Sequence, residues 1–158
     1  MKDKEDTAMT PFQKSKWILA DCEVCEDQYT EYIDELAGAR ETVLLHLSCD
    51  TDYTLYVNGR YVASNQYGDF EHYKIYDTVD VTPYLTKARN TVRILVYYCG
   101  VDTQRYRRGA AGLIYEFVSG ERILAYSDVG TLSRVSPAYI CGQKRFVSTQ
   151  LGFSFVAS

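Results

Sequence analysis

Apolar and polar residues alternate with a period of two through the middle of the chain, and turn residues interrupt the alternation at short intervals. In Tyr53-Thr-Leu-Tyr-Val57, Leu55 and Val57 alternate with Thr54 and Tyr56, then Asn58-Gly59 intervenes and Tyr61-Val-Ala63 resumes. An Asn-Gly pair between two β-prone runs predicts a hairpin. Both central residues of a type I′ turn take positive φ, which Asn tolerates and Gly adopts freely. Residues 73–80 and 90–99 read as strands. Between them Thr82-Pro83 suits the start of one helical turn, with Thr as cap and Pro in the first position. Residues 41–49, with their apolar centre Val43-Leu-Leu-His-Leu47, make another strand, and residues 113–118 and 122–126 a second hairpin across Ser119-Gly120. A first short strand covers residues 16–20, with Trp17 as a core anchor, and residues 145–148 and 152–157 close the chain. Residues 64–72 and 100–111 are loops, and 128–141 is mostly loop. Tyr29, Ile33 and Leu36 sit at i, i+4 and i+7, a spacing that suits a helix face, so period alone does not decide that segment. Short strands with turn signals between them predict an all-β, antiparallel sandwich.

Three stretches also carry a family resemblance: "LYVNGRYVAS", "YDTVDVTPYL" and "NTVRILV". Together they resemble the jelly-roll accessory domain of glycoside hydrolases, in particular the N-terminal β-sandwich of bacterial α-L-rhamnosidases. That pattern has an L-Y-V-N-G hairpin, then Y-D-x-x-D-V-T-x-x-L, then Gly-x-Asn ahead of a hydrophobic strand. The chain departs from it at Lys87-Ala-Arg89, where the family has a Gly before the Asn. The resemblance extends more loosely to Gly112-Leu-Ile114 and Ser133-Arg-Val-Ser-Pro137, and covers most of the chain from Trp17 on. It implies a jelly-roll-like, galactose-binding-like fold. It also implies a strand for residues 29–36, because the family has an extended Y-x-x-x-F-x-L segment there.

Size and charge narrow the function. At 158 residues the chain is long enough for one domain to bury a core without disulfides. The expected organisation is a flexible arm over residues 1–14 and one sandwich over 15–158. Fifteen tyrosines against two methionines suit a β protein with polar rims. A net charge of −4 gives no global attraction to nucleic acid or to a membrane surface, and no apolar run reaches the ~20 residues needed to span a bilayer. The start is charged and lacks an apolar signal region, which places the chain in the cytoplasm if Met1 is its true beginning. The odd number of cysteines, Cys22, Cys25, Cys49, Cys99 and Cys141, fits reduced thiols better than a disulfide framework.

Candidate chemistry is sparse. Cys22-x-x-Cys25 is half of a zinc site with no second half, so no metal and no cofactor are expected. Arg105-Tyr-Arg-Arg108 is too short a basic run for a nucleic-acid face. Nucleophile-elbow, phosphate-loop and zinc-protease motifs are absent, and no catalytic residue is assigned. Among 21 acidic residues some carboxylate pair will always look plausible for glycoside hydrolysis. The family's catalytic centre lies in a separate (α/α)₆ barrel that 158 residues cannot build. Carbohydrate binding is the positive expectation, since sugars are held by aromatic faces and planar polar groups. One loop offers Asn65, Gln66, Tyr67, Asp69, Glu71 and Tyr73, and another Arg105, Tyr106 and Arg107.

The resulting expectation is a non-catalytic accessory sandwich of a larger glycoside hydrolase. It would brace the catalytic domain of the same polypeptide and contact rhamnose-containing or other glycans. The ending on Phe153-Ser-Phe-Val-Ala-Ser158, without a polar tail, reads as a fragment. A free-standing carbohydrate-binding module and a protein-binding adaptor are the alternatives.

Overall fold

The computed structural model describes residues 11–38, 41–68, 73–142, 146–148, 152–153 and 156–158. Its strands, in chain order, are β1 (Gln28–Leu36), β2 (Leu44–Asp50), β3 (Asp52–Val57), β4 (Arg60–Gln66), β5 (Asp77–Asp80), β6 (Asn90–Tyr98), β7 (Gly112–Ser119), β8 (Arg122–Tyr126), β9 (Leu132–Val135), β10 (Phe146–Ser148) and β11 (Gly152–Phe153). They form a five-stranded sheet in the order β4-β3-β6-β1-β9, a four-stranded sheet β5-β2-β7-β8 and a separate pair β10-β11. Every pairing is antiparallel. This is the antiparallel β-sandwich expected from the alternation, and it agrees with the jelly-roll-like fold that the family resemblance implies.

The alternation also says which side chains face inward. Val92, Ile94 and Val96 of β6 and Leu55 and Val57 of β3 come from one sheet. Leu45 and Leu47 of β2, with Leu113, Tyr115 and Phe117 of β7, come from the other, and all are buried. Full burial of each such aliphatic side chain stabilises by about 1.5–3 kcal/mol. Segment 29–36 is strand β1, paired with β6 along its whole length. Its outward Glu31 is nevertheless buried, at 3% exposure. The Arg134 guanidinium on β9 donates to it from Nε (2.9 Å) and approaches from Nη2 (2.7 Å), and Ser136 Oγ donates at 3.0 Å. This fork ties the edge strand β9 to the sheet.

The Asn58-Gly59 hairpin has the expected geometry, with φ of +52° and +74° at the two turn residues. A Cβ added to Gly59 would meet nothing within 4 Å, so a side chain there costs backbone strain alone. Gly59→Val is expected to lower stability by about 1–3 kcal/mol, read as a shift in the denaturation midpoint. An unchanged midpoint would contradict the strain assignment.

Several expectations are corrected. Residues 16–20 do not form a strand: Ile18 alone bridges Leu113 and enters the core. Trp17 points the other way and is half-buried, its indole N–H on the Ala111 carbonyl at 2.9 Å. Strand β9 lies inside the stretch read as mostly loop, and β4 runs to Gln66. The strand expected over 73–80 is confined to β5, and the one expected over 41–49 starts at Leu44; of the strand expected over 152–157, Gly152–Phe153 is β11, Ala157 bridges Tyr139, and residues 154 and 155 lie outside the described residues. The turn over Thr82–Tyr84 is 3-10 with Val81 as its N-cap. Thr82 Oγ1 accepts instead from the Val43 amide at 2.9 Å, joining the turn to the start of β2. Tyrosine is not confined to the rims either: Tyr32, Tyr53, Tyr98, Tyr106 and Tyr115 are buried.

Candidate functional site

Antiparallel pairing brings certain strand ends together. Asp50, at the end of β2, pairs with Gly112 at the start of β7, and Asp52 of β3 pairs with Gln66 of β4 and Tyr97 of β6. The loop after β4 and the long loop before β7 therefore emerge at the same end of the sandwich. Distant in sequence, Tyr67 and Tyr106 meet there, with ring centroids 5.3 Å apart and planes at 59°.

The first loop is held by its own strand end. Gln66 and Tyr67 both have positive φ (+118° and +49°). Gln66 is buried; its Oε1 accepts from the Cys49 amide at 2.8 Å, and its Nε2 donates to Asp77 at 3.4 Å. Asn65 Nδ2 donates to the same carboxylate at 3.3 Å. These bonds join the first loop to β2 and β5.

The second loop is organised around Asp50, at the end of β2. Its carboxylate is 2% exposed. Tyr106 Oη donates to Asp50 Oδ2 at 2.7 Å and the Gly109 amide donates at 3.2 Å. Lys74 Nζ lies 3.6 Å from Oδ1 and 5.1 Å from the centroid of the Trp17 ring. Position 109 suits glycine because a Cβ there would press on the Asp50 carboxylate at 3.0 Å. Burial, and then the Asp50 carboxylate beside it, pushes the Tyr106 phenol well above its ordinary pKa. It stays protonated and able to donate. Within the loop, Thr103 Oγ1 accepts from the Arg105 and Tyr106 amides (3.2 and 3.1 Å), and Asp102 Oδ1 from the Arg108 amide (2.8 Å).

The expected site residues thus divide. Tyr67 and Tyr106 come together, but Tyr106 is buried, its hydroxyl spent inside the domain. Tyr73 is 55% exposed, and Arg105 and Arg107 face solvent. Arg107 lies 3.5 Å from Asp102, both exposed, a pair worth at most about 1 kcal/mol. Asp69 and Glu71 lie outside the described residues. Sequence reasoning missed Asp50, Lys74, Trp17 and Gly109. A weak signal existed: an acidic residue closing a strand with an apolar centre, Val43-Leu-Leu-His-Leu-Ser-Cys-Asp50. Among the described residues no three His, Cys, Asp or Glu side chains are placed to hold a metal ion.

No family model matches the chain, and no curated protein matches it. Solved structures do. The GH78 family rhamnosidase of Bacillus sp. GL1 is similar over 92% of this chain, with 26% identity and a TM-score of 0.84. The α-L-rhamnosidase of Aspergillus terreus shares 18% identity over 91% of the chain (TM-score 0.63). That of Streptomyces avermitilis, complexed with L-rhamnose, shares 18% over 90% (TM-score 0.58). This chain spans only 16%, 21% and 14% of those three chains, respectively. The likeness read from the Asn-Gly hairpin and the two stretches after it is borne out at the level of the fold: this is a small antiparallel β domain that matches part of GH78 rhamnosidases.

Proposed function

We propose that the chain serves as a non-catalytic accessory domain of a glycoside hydrolase resembling α-L-rhamnosidases. It braces the catalytic domain of the same polypeptide and makes weak contact with glycan at the loop end. The observation that carries this reading is the match to the Bacillus enzyme, close over nearly the whole chain yet covering a small part of that protein. The use made of the buried carboxylates supports it. Glu31 binds Arg134, Asp50 binds Tyr106 and Gly109, and Glu116 binds backbone amides of residues 13–15, so each is committed to holding the fold. Bracing is favoured by β9, an edge strand that exposes Leu132 (66%) and Val135 (40%). Such an edge gains from being covered.

For glycan, Tyr67 and Tyr73 offer aromatic faces, and Arg105 and Arg107 planar donors. An exposed, shallow arrangement of this kind suits millimolar affinity, about 4 kcal/mol. The test titrates L-rhamnose and D-galactose into the labelled chain by NMR, with Tyr67→Ala and Arg105→Ala as controls. An aryl α-L-rhamnoside is assayed alongside. Millimolar shifts lost in the variants are expected, without turnover. Turnover by the pure chain would overturn the accessory reading, and the absence of shifts with either sugar would remove the glycan contact and leave the brace.

A further inference from the structure

The Cys22-x-x-Cys25 pair acquires a third thiol in the folded chain. Beyond β9 the chain runs back along the entrance to β1. The Ser136 amide donates to the Tyr29 carbonyl at 2.8 Å, and the Gly142 amide to the Asp27 carbonyl at 3.1 Å. Tyr139 stacks on Tyr29, with centroids 4.2 Å apart and planes 13° apart. Cys141 is fixed between these contacts: its Sγ accepts from the Tyr29 amide at 3.2 Å. Gly142, next in sequence, has φ +69°, and the position its Cβ would take lies 3.9 Å from Cys25 Sγ. The Cys25 sulfur therefore faces the 141–142 backbone across a narrow gap.

The two other thiols have different surroundings. Cys22 packs against the core and accepts from Gln28 Nε2 at 3.5 Å, which turns it inward. Cys25 is exposed and Cys141 half-buried. From this placement we infer that Cys25 and Cys141 form a reversible disulfide by exchange with a small disulfide oxidant such as oxidised glutathione. The Cys25 thiolate attacks one sulfur of the oxidant and releases a glutathione thiolate. The Cys141 thiolate then attacks the Cys25 sulfur of the mixed disulfide and releases the second glutathione. Two electrons pass from the cysteine pair to the oxidant, and the two thiol protons end on the two glutathiones.

The order of attack follows from access, since Cys25 is the sulfur that solvent reaches. Burial first, and next the neighbouring Cys141, pushes the Cys25 thiol above its ordinary pKa. The attacking thiolate is therefore more abundant, and the exchange faster, at alkaline pH. The bond would staple the segment leading to β10 and β11 onto the loop ahead of β1, closing a covalent loop through nearly the whole sandwich. Long loops of this kind gain most from closure.

The test exposes the folded 158-residue chain to oxidised glutathione, blocks remaining thiols by alkylation and digests at glutamate. Cleavage after Glu23 puts Cys22 and Cys25 on different peptides. The expected result is a Cys25–Cys141 linked pair, a mass lower by two hydrogens, and a Tm higher by about 5 °C that dithiothreitol reverses. The same linkage is expected in Cys22→Ser and none in Cys25→Ser. A predominant Cys22–Cys25 linkage, or five alkylated thiols after oxidation of the native protein, would overturn the assignment. The wild-type and Cys22→Ser maps decide the matter even if Cys25→Ser fails to fold.

Discussion

Glu116→Ala is expected to cost the domain about 3–5 kcal/mol and to release the start of the chain. Glu116 sits on the outer face of β7 yet has no exposed surface. Its carboxylate is covered by residues 13–15. The amides of Gln13, Lys14 and Ser15 donate to Oε2 at 3.2, 2.9 and 3.2 Å, and Ser15 Oγ donates to it at 2.8 Å. Three successive amides converging on one carboxylate form an anion-binding concavity in which the protein supplies its own anion. Alanine leaves those donors facing a gap. Each unsatisfied group costs about 1–3 kcal/mol, and partial access of water to the segment brings the sum toward the lower end. Urea denaturation reads the loss, and faster tryptic cleavage at Lys14 and Lys16 reads the release. A variant with wild-type midpoint and wild-type cleavage would show that the contacts add nothing.

Glu116→Gln separates charge from shape. The amide keeps one acceptor but turns an NH₂ toward donors, so about half of the alanine effect should remain, and the pH dependence should change. Burial alone pushes the Glu116 carboxyl up. The Lys14 amide, the Ser15 hydroxyl and the remaining amides outweigh it and hold the pKa below the ordinary 4.5. A folded pKa below the unfolded one means that the contribution is complete above about pH 4.5 and is lost as pH falls through the folded value. Wild type should therefore lose stability on acidification below pH 4.5 more steeply than Glu116→Gln.

What the sequence revealed and what it hid divide along one physical line. The Asn58-Gly59 turn was legible because positive φ at two neighbouring residues is a local demand with a local answer. Strand β6 was legible because Val92, Ile94 and Val96 alternate with exposed or half-buried partners. Strand β9 was not. None of Leu132, Ser133, Arg134 and Val135 is buried, so no alternation shows, and the strand is held by edge pairing and by Arg134 on a residue a hundred positions away. Thr82-Pro83 signalled a turn correctly, yet the hydroxyl went to Val43, a competitor that local reasoning does not contain. The same holds at the loop end. Aromatic and planar polar residues could be named from composition, but the register that joins Tyr67 to Tyr106, and the buried acid beneath them, arises only once β2, β4 and β7 are paired.

That acid sets the other large effect. Asp50→Ala is expected to destabilise the domain by about 3 kcal/mol and to free the 100–111 loop. The buried Tyr106 hydroxyl loses its acceptor, and the Gly109 amide keeps only its 3.3 Å bond to that hydroxyl oxygen, at about 1–3 kcal/mol for each donor left short. Lys74 adds little, since its side chain is 34% exposed and water replaces the carboxylate at its ammonium. Tyr106→Phe removes the hydroxyl and keeps the ring against Tyr67, and should cost about 1.5–3 kcal/mol, the range for a hydrogen bond to a charged group. Because both changes break the same bond, the double variant should fall short of the sum of the singles by about 1–2 kcal/mol. Amide hydrogen exchange locates the effect: protection at Gly109 and Tyr106 should fall in Asp50→Ala and persist in the strands. In the sugar titration, Tyr106→Phe should bind as wild type does, since that hydroxyl points into the domain, whereas Asp50→Ala should bind more weakly as the Tyr67–Tyr106 contact loosens. Additive costs, with Gly109 still protected in Asp50→Ala, would mean that the loop is held by its own Thr103 and Asp102 turns and not by the buried carboxylate beneath it.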